Sequence, residues 1–164
     1  MLHALARRLG RRKRRVQAGM SGRQRPIQEG LYTWPSERPQ LIASKCKACG
    51  EVTFPKQDSC PACTGRNAEE ILLGRRGRLW TWTVQHFPPP APPYAGSAHR
   101  ESFVPFGVGY VELPEGIRVE SRLTENDPDR LEIGMGMELV IESFMEDEEG
   151  DELMTFAFRP VQDR

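Results

Sequence analysis

The sequence predicts a mainly β protein in which a small four-cysteine ribbon precedes a closed barrel of five strands. Two observations carry this prediction. All four cysteines of the 164-residue chain lie within eighteen residues, as two Cys-x2-Cys pairs, a clustering that indicates a metal rather than spread disulfides. Beyond them, alternation of apolar and polar residues recurs in five short segments, while helical periodicity is nearly absent.

The N-terminal residues 1–26 are predicted to be a disordered basic tail. Residues 1–25 hold nine Lys or Arg and no acidic residue, so the rest has 14 basic and 23 acidic residues, a net charge of −9. The same run also fits nucleic-acid or anionic-membrane binding, a transit peptide, or a chain that starts at Met20. No apolar run approaches the roughly 18 residues of a membrane helix. Reduced cysteines suit the cytoplasm, so we expect a cytoplasmic protein without a membrane partner.

Residues 27–44 are predicted to be an extended docking segment. Two prolines and a glycine within it exclude a long helix. Tyr32 and Trp34 are the aromatic side chains expected to dock. Residues 41–44 then form a short strand that leads into the first cysteine pair.

A zinc ribbon is predicted over residues 45–70. Its four expected ligands are Cys46, Cys49, Cys60 and Cys63. Each Cys-x2-Cys turn directs two sulfurs to one side, and two such turns form a tetrahedral cage with no open position for a substrate. Gly50 suits a turn that needs positive φ, and Pro61 presets φ in the second turn. This ligand set leaves iron in a rubredoxin-like cage as an alternative.

Residues 71–161 are predicted to form the barrel. Its strands are expected at 77–86, 106–113, 117–123, 137–144 and 153–159. A Pro-Glu-Gly turn at 114–116 joins the second and third strands, and the acidic residues 145–152 form a solvated hairpin tip. One helical turn is expected within 126–134, with Asp127 as its cap and Pro128 in first position. Five antiparallel strands suit an OB barrel, which leaves no exposed sheet edge, with a small β-sandwich as the alternative.

The proline-rich segment 87–105 is interpreted as a binding loop. Five prolines in six residues favour an extended conformation that loses little entropy on docking, with Tyr94 and Phe103 as anchors. No catalytic residue is predicted. The thiols are committed to metal, and Ser97, His99 and Glu101 share one loop without an orienting framework.

Taken in order, these motifs resemble a known family that couples an N-terminal rubredoxin-like zinc ribbon to a C-terminal OB-fold. The resemblance covers about residues 41–161. It rests on Ser-Lys-Cys-Lys-Ala-Cys-Gly at 44–50, Phe-Pro at 54–55, Cys-Pro-Ala-Cys at 60–63, Gly-Arg-Leu-Trp-Thr-Trp-Thr-Val at 77–84, Pro-Phe-Gly-Val-Gly-Tyr-Val-Glu-Leu at 105–113, Gly-Ile-Arg-Val at 116–119, Ile-Gly-Met at 133–135 and Phe-Ala-Phe-Arg-Pro at 156–160.

Members of that family accompany thiolases, thiolase-like aldolases and hydratases that act on acyl-CoA. The resemblance therefore implies a non-catalytic subunit in a hetero-tetramer or similar assembly with a thiolase-fold enzyme, with the CoA thioester bound at their interface. The candidate contacts with the partner or acyl-CoA are Tyr32, Trp34, Phe54, Pro55, Trp80, Trp82, Tyr94, Phe103 and Phe106.

The alternative function is that of a zinc-ribbon and OB-fold protein that binds single-stranded nucleic acid. Trp80, Trp82 and Tyr110 would then stack on bases. The net charge of −9 outside the tail repels phosphate and argues against nucleic acid as a partner.

Overall fold

The computed structural model describes residues 22–90 and 103–161, and within them the chain forms nine strands arranged in two sheets. In chain order the strands are β1 (Gln24–Pro26), β2 (Ile42–Cys46), β3 (Val52–Thr53), β4 (Ala68–Leu72), β5 (Arg76–Gln85), β6 (Phe106–Glu112), β7 (Arg118–Leu123), β8 (Gly136–Glu146) and β9 (Glu152–Pro160). No helix in the described ranges has the length and apolar character needed to cross a membrane.

The smaller sheet belongs to the ribbon and has the strand order β3-β2-β4, with all pairs antiparallel. Strand β2 ends at the first metal-ligand candidate, and Cys46 is in register with Ala68 of β4. The sheet reaches from residue 42 to residue 72, so its strands extend beyond both ends of the ribbon predicted at 45–70.

The larger sheet has six strands, and five of them, β5 to β9, form a closed barrel and lie where the sequence predicts them. Strands β5, β6 and β7 form an antiparallel meander, β8 pairs with both β5 and β9, and β7 pairs with β9 in parallel. Register shifts occur in β5 between Leu79 and Thr81 and in β8 between Ser143 and Met145. Such bulges bend strands, which suits closure, and the barrel is therefore confirmed over the sandwich.

One hydrophobic core joins the ribbon to the barrel. Leu79, Leu139 and Phe158 fill the barrel and are fully buried. Leu41 and Leu73, which flank the ribbon strands, are fully buried in the same cluster. The two modules therefore share apolar packing, and this contact stabilises their relative position.

The predicted turns are also present. Gly116, at φ 80°, closes the Pro-Glu-Gly turn, and its N–H donates to the carbonyl of Leu113 over 2.9 Å. The predicted helical turn is a 3-10 turn at Pro128–Arg130, capped by the Asp127 carboxylate, which accepts from the N–H of Asp129. Both features follow from local chemistry, since glycine permits positive φ and proline favours the first helical position.

The end of the tail differs from the prediction that residues up to 26 are disordered. Gln24–Pro26 instead form β1, which pairs in parallel with the beginning of β9. Strand β8 occupies one edge of β9 throughout, while β7 covers the other edge only at residues 157–158. Strand β1 pairs with the part of that edge that β7 leaves open. Residues 1–21 lie outside the described residues.

The prediction of an extended segment at 27–44 is also wrong, because this segment turns back on itself. Tyr32 forms a bridge with Leu41, and the N–H of Thr33 donates to the carbonyl of Gln40 over 2.9 Å. The ring of Tyr32 is 3% exposed and its hydroxyl donates to the carbonyl of Met154 over 2.7 Å. Tyr32 therefore packs in the core of this chain and does not present its ring to a partner.

Candidate functional site

The four cysteines converge at one end of the ribbon. The Sγ atoms of Cys46 and Cys63 are 3.6 Å apart, and so are those of Cys49 and Cys60. All four sulfurs lie within 4.8 Å of one another. A disulfide has an S–S distance of about 2.05 Å, so these are four separate thiols arranged as a cluster.

Two nearly identical backbone turns hold the cluster. In the first, the N–H of Gly50 donates to the carbonyl of Cys46; in the second, the N–H of Thr64 donates to the carbonyl of Cys60, each over 2.9 Å. Both turns reach the left-handed region, at Gly50 with φ 81° and at Thr64 with φ 59°. The sequence indicates the first position through its glycine, whereas nothing in the sequence pattern indicates Thr64.

The cluster fits a zinc ion. A tetrahedron of sulfurs with Zn–S bonds near 2.3 Å has edges of about 3.8 Å, close to the 3.6 Å of the Cys46–Cys63 and Cys49–Cys60 pairs. Backbone N–H groups of Ala48 and Cys49 point at the sulfur of Cys46, and that of Gly65 points at the sulfur of Cys63. Four thiolates would fill the coordination shell of zinc, so the ion would supply structural rather than catalytic chemistry.

The pKa values of the thiols diverge because their backbone N–H donors and their sulfur neighbours differ. Backbone hydrogen bonds from Cys49 and Ala48 lower the pKa of Cys46 to about 7. The N–H of Glu51 favours the thiolate of Cys49, but its neighbours Cys63 and Cys60 outweigh that effect and raise the pKa of Cys49 to about 12. Several negative charges in this volume oppose one another, and a bound cation relieves that repulsion.

An aromatic and cationic patch lies on the outer face of the barrel. Trp80 sits at the β5 bulge and is 45% exposed, with its ring edge-on to Tyr110 at 6.3 Å. The guanidinium of Arg118 lies 4.0 Å from the Trp80 ring centroid, a cation–π distance. Sequence patterning identifies Trp80 but misses Arg118, which is brought beside it by strand pairing. Trp82 is half-buried against the core cluster instead.

The base of the proline-rich loop carries a second aromatic group. The rings of Phe103 and Phe106 are 5.9 Å apart, and the guanidinium of Arg122 lies 4.5 Å from the Phe106 ring centroid. Phe87 and Val104, on the two sides of this loop, are strongly exposed. Tyr94 lies outside the described residues, so its predicted role as an anchor stays a prediction.

The remaining candidates lie near the ribbon. The ring of Phe54 meets Phe156 of β9 edge-on at 5.6 Å, and Pro55 beside it is exposed. Trp34 is half-buried and meets the ring of Tyr32 edge-on at 6.3 Å. The structure therefore distributes the predicted contact residues over several separate places instead of one site.

A closed four-cysteine cage on a ribbon that shares its core with an OB barrel defines a zinc-ribbon and OB-fold protein. Residues 35–69 match the family described as the ChsH2 rubredoxin-like zinc ribbon domain, and residues 70–142 match the ChsH2 C-terminal OB-fold domain. The chain is 34% identical over 140 residues to a DUF35 domain-containing scaffold protein of Pyrococcus furiosus, covering 84% of this chain and 96% of that protein. The chain belongs to this family of DUF35 proteins.

Two further relatives are named for enzyme complexes. The chain is 30% identical to the benzoylsuccinyl-CoA thiolase subunit BbsA of Thauera aromatica, over 75% of this chain and 78% of that subunit. Among solved structures it resembles a chain of the Ltp2-ChsH2(DUF35) aldolase, with a TM-score of 0.51 and 29% identity, covering 74% of this chain and 84% of that one.

Proposed function

We propose that this chain is a non-catalytic accessory subunit that binds a thiolase-fold enzyme acting on acyl-CoA thioesters. The observation that carries the proposal is the match of both modules to a protein named as a thiolase subunit, over 78% of its length. The likeness to a solved aldolase chain supports the same class of assembly. The partner would supply the catalytic groups for forming or cleaving a carbon–carbon bond.

The chemistry of the described residues supports a scaffolding role. The four thiols fit a closed metal cage, and four sulfur ligands would leave zinc no open position for a substrate. The ribbon would hold the exposed Pro55 and its neighbour Phe54 in a fixed position for the partner. Trp34, Trp80, Trp82, Phe103 and Phe106 are the other described candidates for contacts with the partner or with acyl-CoA at the interface.

Reconstitution with a thiolase-fold enzyme from the same organism tests the proposal. We expect the enzyme to cleave or form its acyl-CoA product at full rate only when this subunit is present, since the subunit completes the assembly. The enzyme alone should lose activity or precipitate. An enzyme that is equally active and stable without this chain refutes the proposal.

A further inference from the structure

A cleft lined by arginines lies where the ribbon meets the barrel, away from the cysteine cluster. Its larger part, of about 820 Å³, is bordered by Arg38, Arg75 and Arg76 together with Glu138. A smaller part, of about 440 Å³, is lined by Arg76 and Arg78 together with Glu112. Arg76 and Pro114 line both parts, which are therefore adjacent, and the two together are named here the arginine cleft.

The carboxylate of Glu138 lies beside three guanidinium groups, of which those of Arg75 and Arg76 border the cleft. Glu138 accepts a hydrogen bond from Arg159 over 3.0 Å, and its other oxygen lies 3.6 Å from Nε of Arg76 and 3.9 Å from a terminal nitrogen of Arg75. One negative charge cannot neutralise three positive charges. The group around Glu138 therefore keeps a net positive charge of about two at neutral pH.

The remaining cations of the cleft add to this excess. Arg38 is exposed, and its side chain makes no ion pair or hydrogen bond with the residues that the structure describes. Arg75 is fixed by donating to the carbonyl of Leu139 over 3.2 Å, while its buried Nε has no acceptor among the described residues. The guanidinium groups therefore have N–H donors without an acceptor among the described residues. At least one of these groups is held in place before any ligand arrives.

The concentration of positive charge in the cleft is unusual for the chain beyond residue 25. Beyond residue 25 the chain has 14 basic and 23 acidic residues, yet four of those basic residues line the arginine cleft. Since the chain beyond residue 25 has a net negative charge, such a cleft stands out locally, focuses the field and attracts anions. Guanidinium groups match the oxygens of phosphate with paired hydrogen bonds.

We propose that the arginine cleft binds the phosphate groups at the nucleotide end of acyl-CoA. This inference rests on the proposed function, which brings an acyl-CoA to the interface with the partner. Arg38 and Arg76 contact the phosphates from the exposed side, and Arg75 supplies charge from the cleft wall. The thioester end extends away from this chain towards the catalytic groups of the partner.

The test measures CoA binding to the zinc-loaded full chain by calorimetry, with dephospho-CoA, pantetheine and inorganic phosphate as comparison probes. We expect CoA to bind more tightly than dephospho-CoA and pantetheine to show no binding, since it lacks every phosphate. The double variant Arg38→Ala/Arg76→Ala should weaken CoA binding by about tenfold or more. Added salt should weaken it as well, because the cleft is open to solvent.

Arg66→Ala is the matched control, because Arg66 is an exposed ribbon residue outside the cleft. It removes the same charge and should leave CoA binding unchanged. Equal CoA affinity in the double variant and the wild type overturns the assignment of the cleft, as does equal binding of pantetheine. Capture of the thiolase-fold partner is measured in parallel. Normal capture with unchanged CoA affinity rejects the cleft alone, whereas failed capture by the wild type rejects the proposed function.

Discussion

At the scale of single residues, the two cysteine turns place different amino acids in the same left-handed backbone conformation. Gly50 and Thr64 occupy equivalent left-handed positions and make equivalent hydrogen bonds to Cys46 and Cys60. A β-branched residue is strained at positive φ. The hydroxyl of Thr64 donates to the carbonyl of Cys63 over 2.7 Å, which offsets part of that cost. Glycine needs no such compensation.

Gly50→Ala is therefore expected to lower the free energy of unfolding of the zinc-loaded protein by about 1 kcal/mol. A Cβ at this position meets no atom within 4 Å, so the cost is conformational and not steric. Gly136→Ala is the control, since its Cβ would make only an ordinary contact of 3.6 Å with Val161 and its φ is not positive. Chemical denaturation measures the free energy of unfolding of both variants. A Gly50→Ala protein as stable as the wild type contradicts the strain argument.

Cys49→Ser is expected to abolish stoichiometric zinc binding and, with it, capture of the thiolase-fold partner. Serine is a poor zinc ligand, and metal binding contributes folding free energy in modules of this size. Zinc content and partner pull-down are measured on the same sample. Ser59→Ala, an exposed change beside Cys60, should leave both unchanged. Normal complex formation by a zinc-free Cys49→Ser protein would show that the ribbon is dispensable for assembly.

At the scale of elements, hydrogen bonds attach the segment before the ribbon to the barrel. Strand β1 pairs with β9, and Arg25 forms an ion pair with Asp147 at the tip of the β8–β9 hairpin. Tyr32 adds a buried hydrogen bond to Met154 of β9. The tip predicted as merely solvated is thus ordered by Asp147, whose carboxylate also accepts from the N–H groups of Glu149 and Asp151.

Tyr32 makes the stability depend on pH in the alkaline range. Burial raises its pKa to about 12, whereas an unfolded tyrosine ionises near about pH 10. The folded state keeps a proton that the unfolded state releases, so this stabilisation is complete below about pH 10 and is lost as the pH rises towards 12. Tyr32→Phe should cost about 1 kcal/mol at neutral pH and show a shallower alkaline decline. Urea unfolding at several pH values measures both slopes, and parallel slopes contradict the assignment.

Local sequence patterns predict most of the strands and turns. The others depend on pairing between segments that are far apart in the sequence. The five barrel strands and the Pro-Glu-Gly turn follow from alternation and turn chemistry within the segment itself. Strand β1 does not, because Gln24–Pro26 carries no strand pattern and becomes a strand only beside the open edge of β9. The burial of Tyr32 likewise depends on a partner 122 residues away, which no local window contains.

At the scale of the whole molecule, the spacing of the four cysteines predicts the cluster correctly because each turn is local and the two turns repeat. The arginine cleft is not visible in the sequence, since Arg38 and Arg75 come from separate segments and border one cleft with Glu138 only after the ribbon and barrel share a core. The candidate aromatic contacts are scattered for the same reason. These candidate contact residues are too many and too dispersed for a single pocket, and they suit a broad surface that contacts a protein.

The charge of the whole chain bears on the choice of partner. The sequence beyond residue 25 has a net charge of −9, which disfavours a general nucleic-acid surface. The arginine cleft is compatible with this balance because it is local and suits a compact anion. A protein partner with a small phosphorylated ligand at the interface is therefore consistent with both the global and the local charge.

The most direct test of the accessory-subunit account is the mass and zinc content of the particle formed when this chain is co-expressed with a thiolase-fold enzyme from the same organism. Light scattering during size-exclusion chromatography, combined with metal analysis, gives both quantities. The account predicts one hetero-oligomeric peak that contains both chains, with one zinc ion for each copy of this chain. Elution of the two chains in separate peaks, with zinc bound normally, would contradict it.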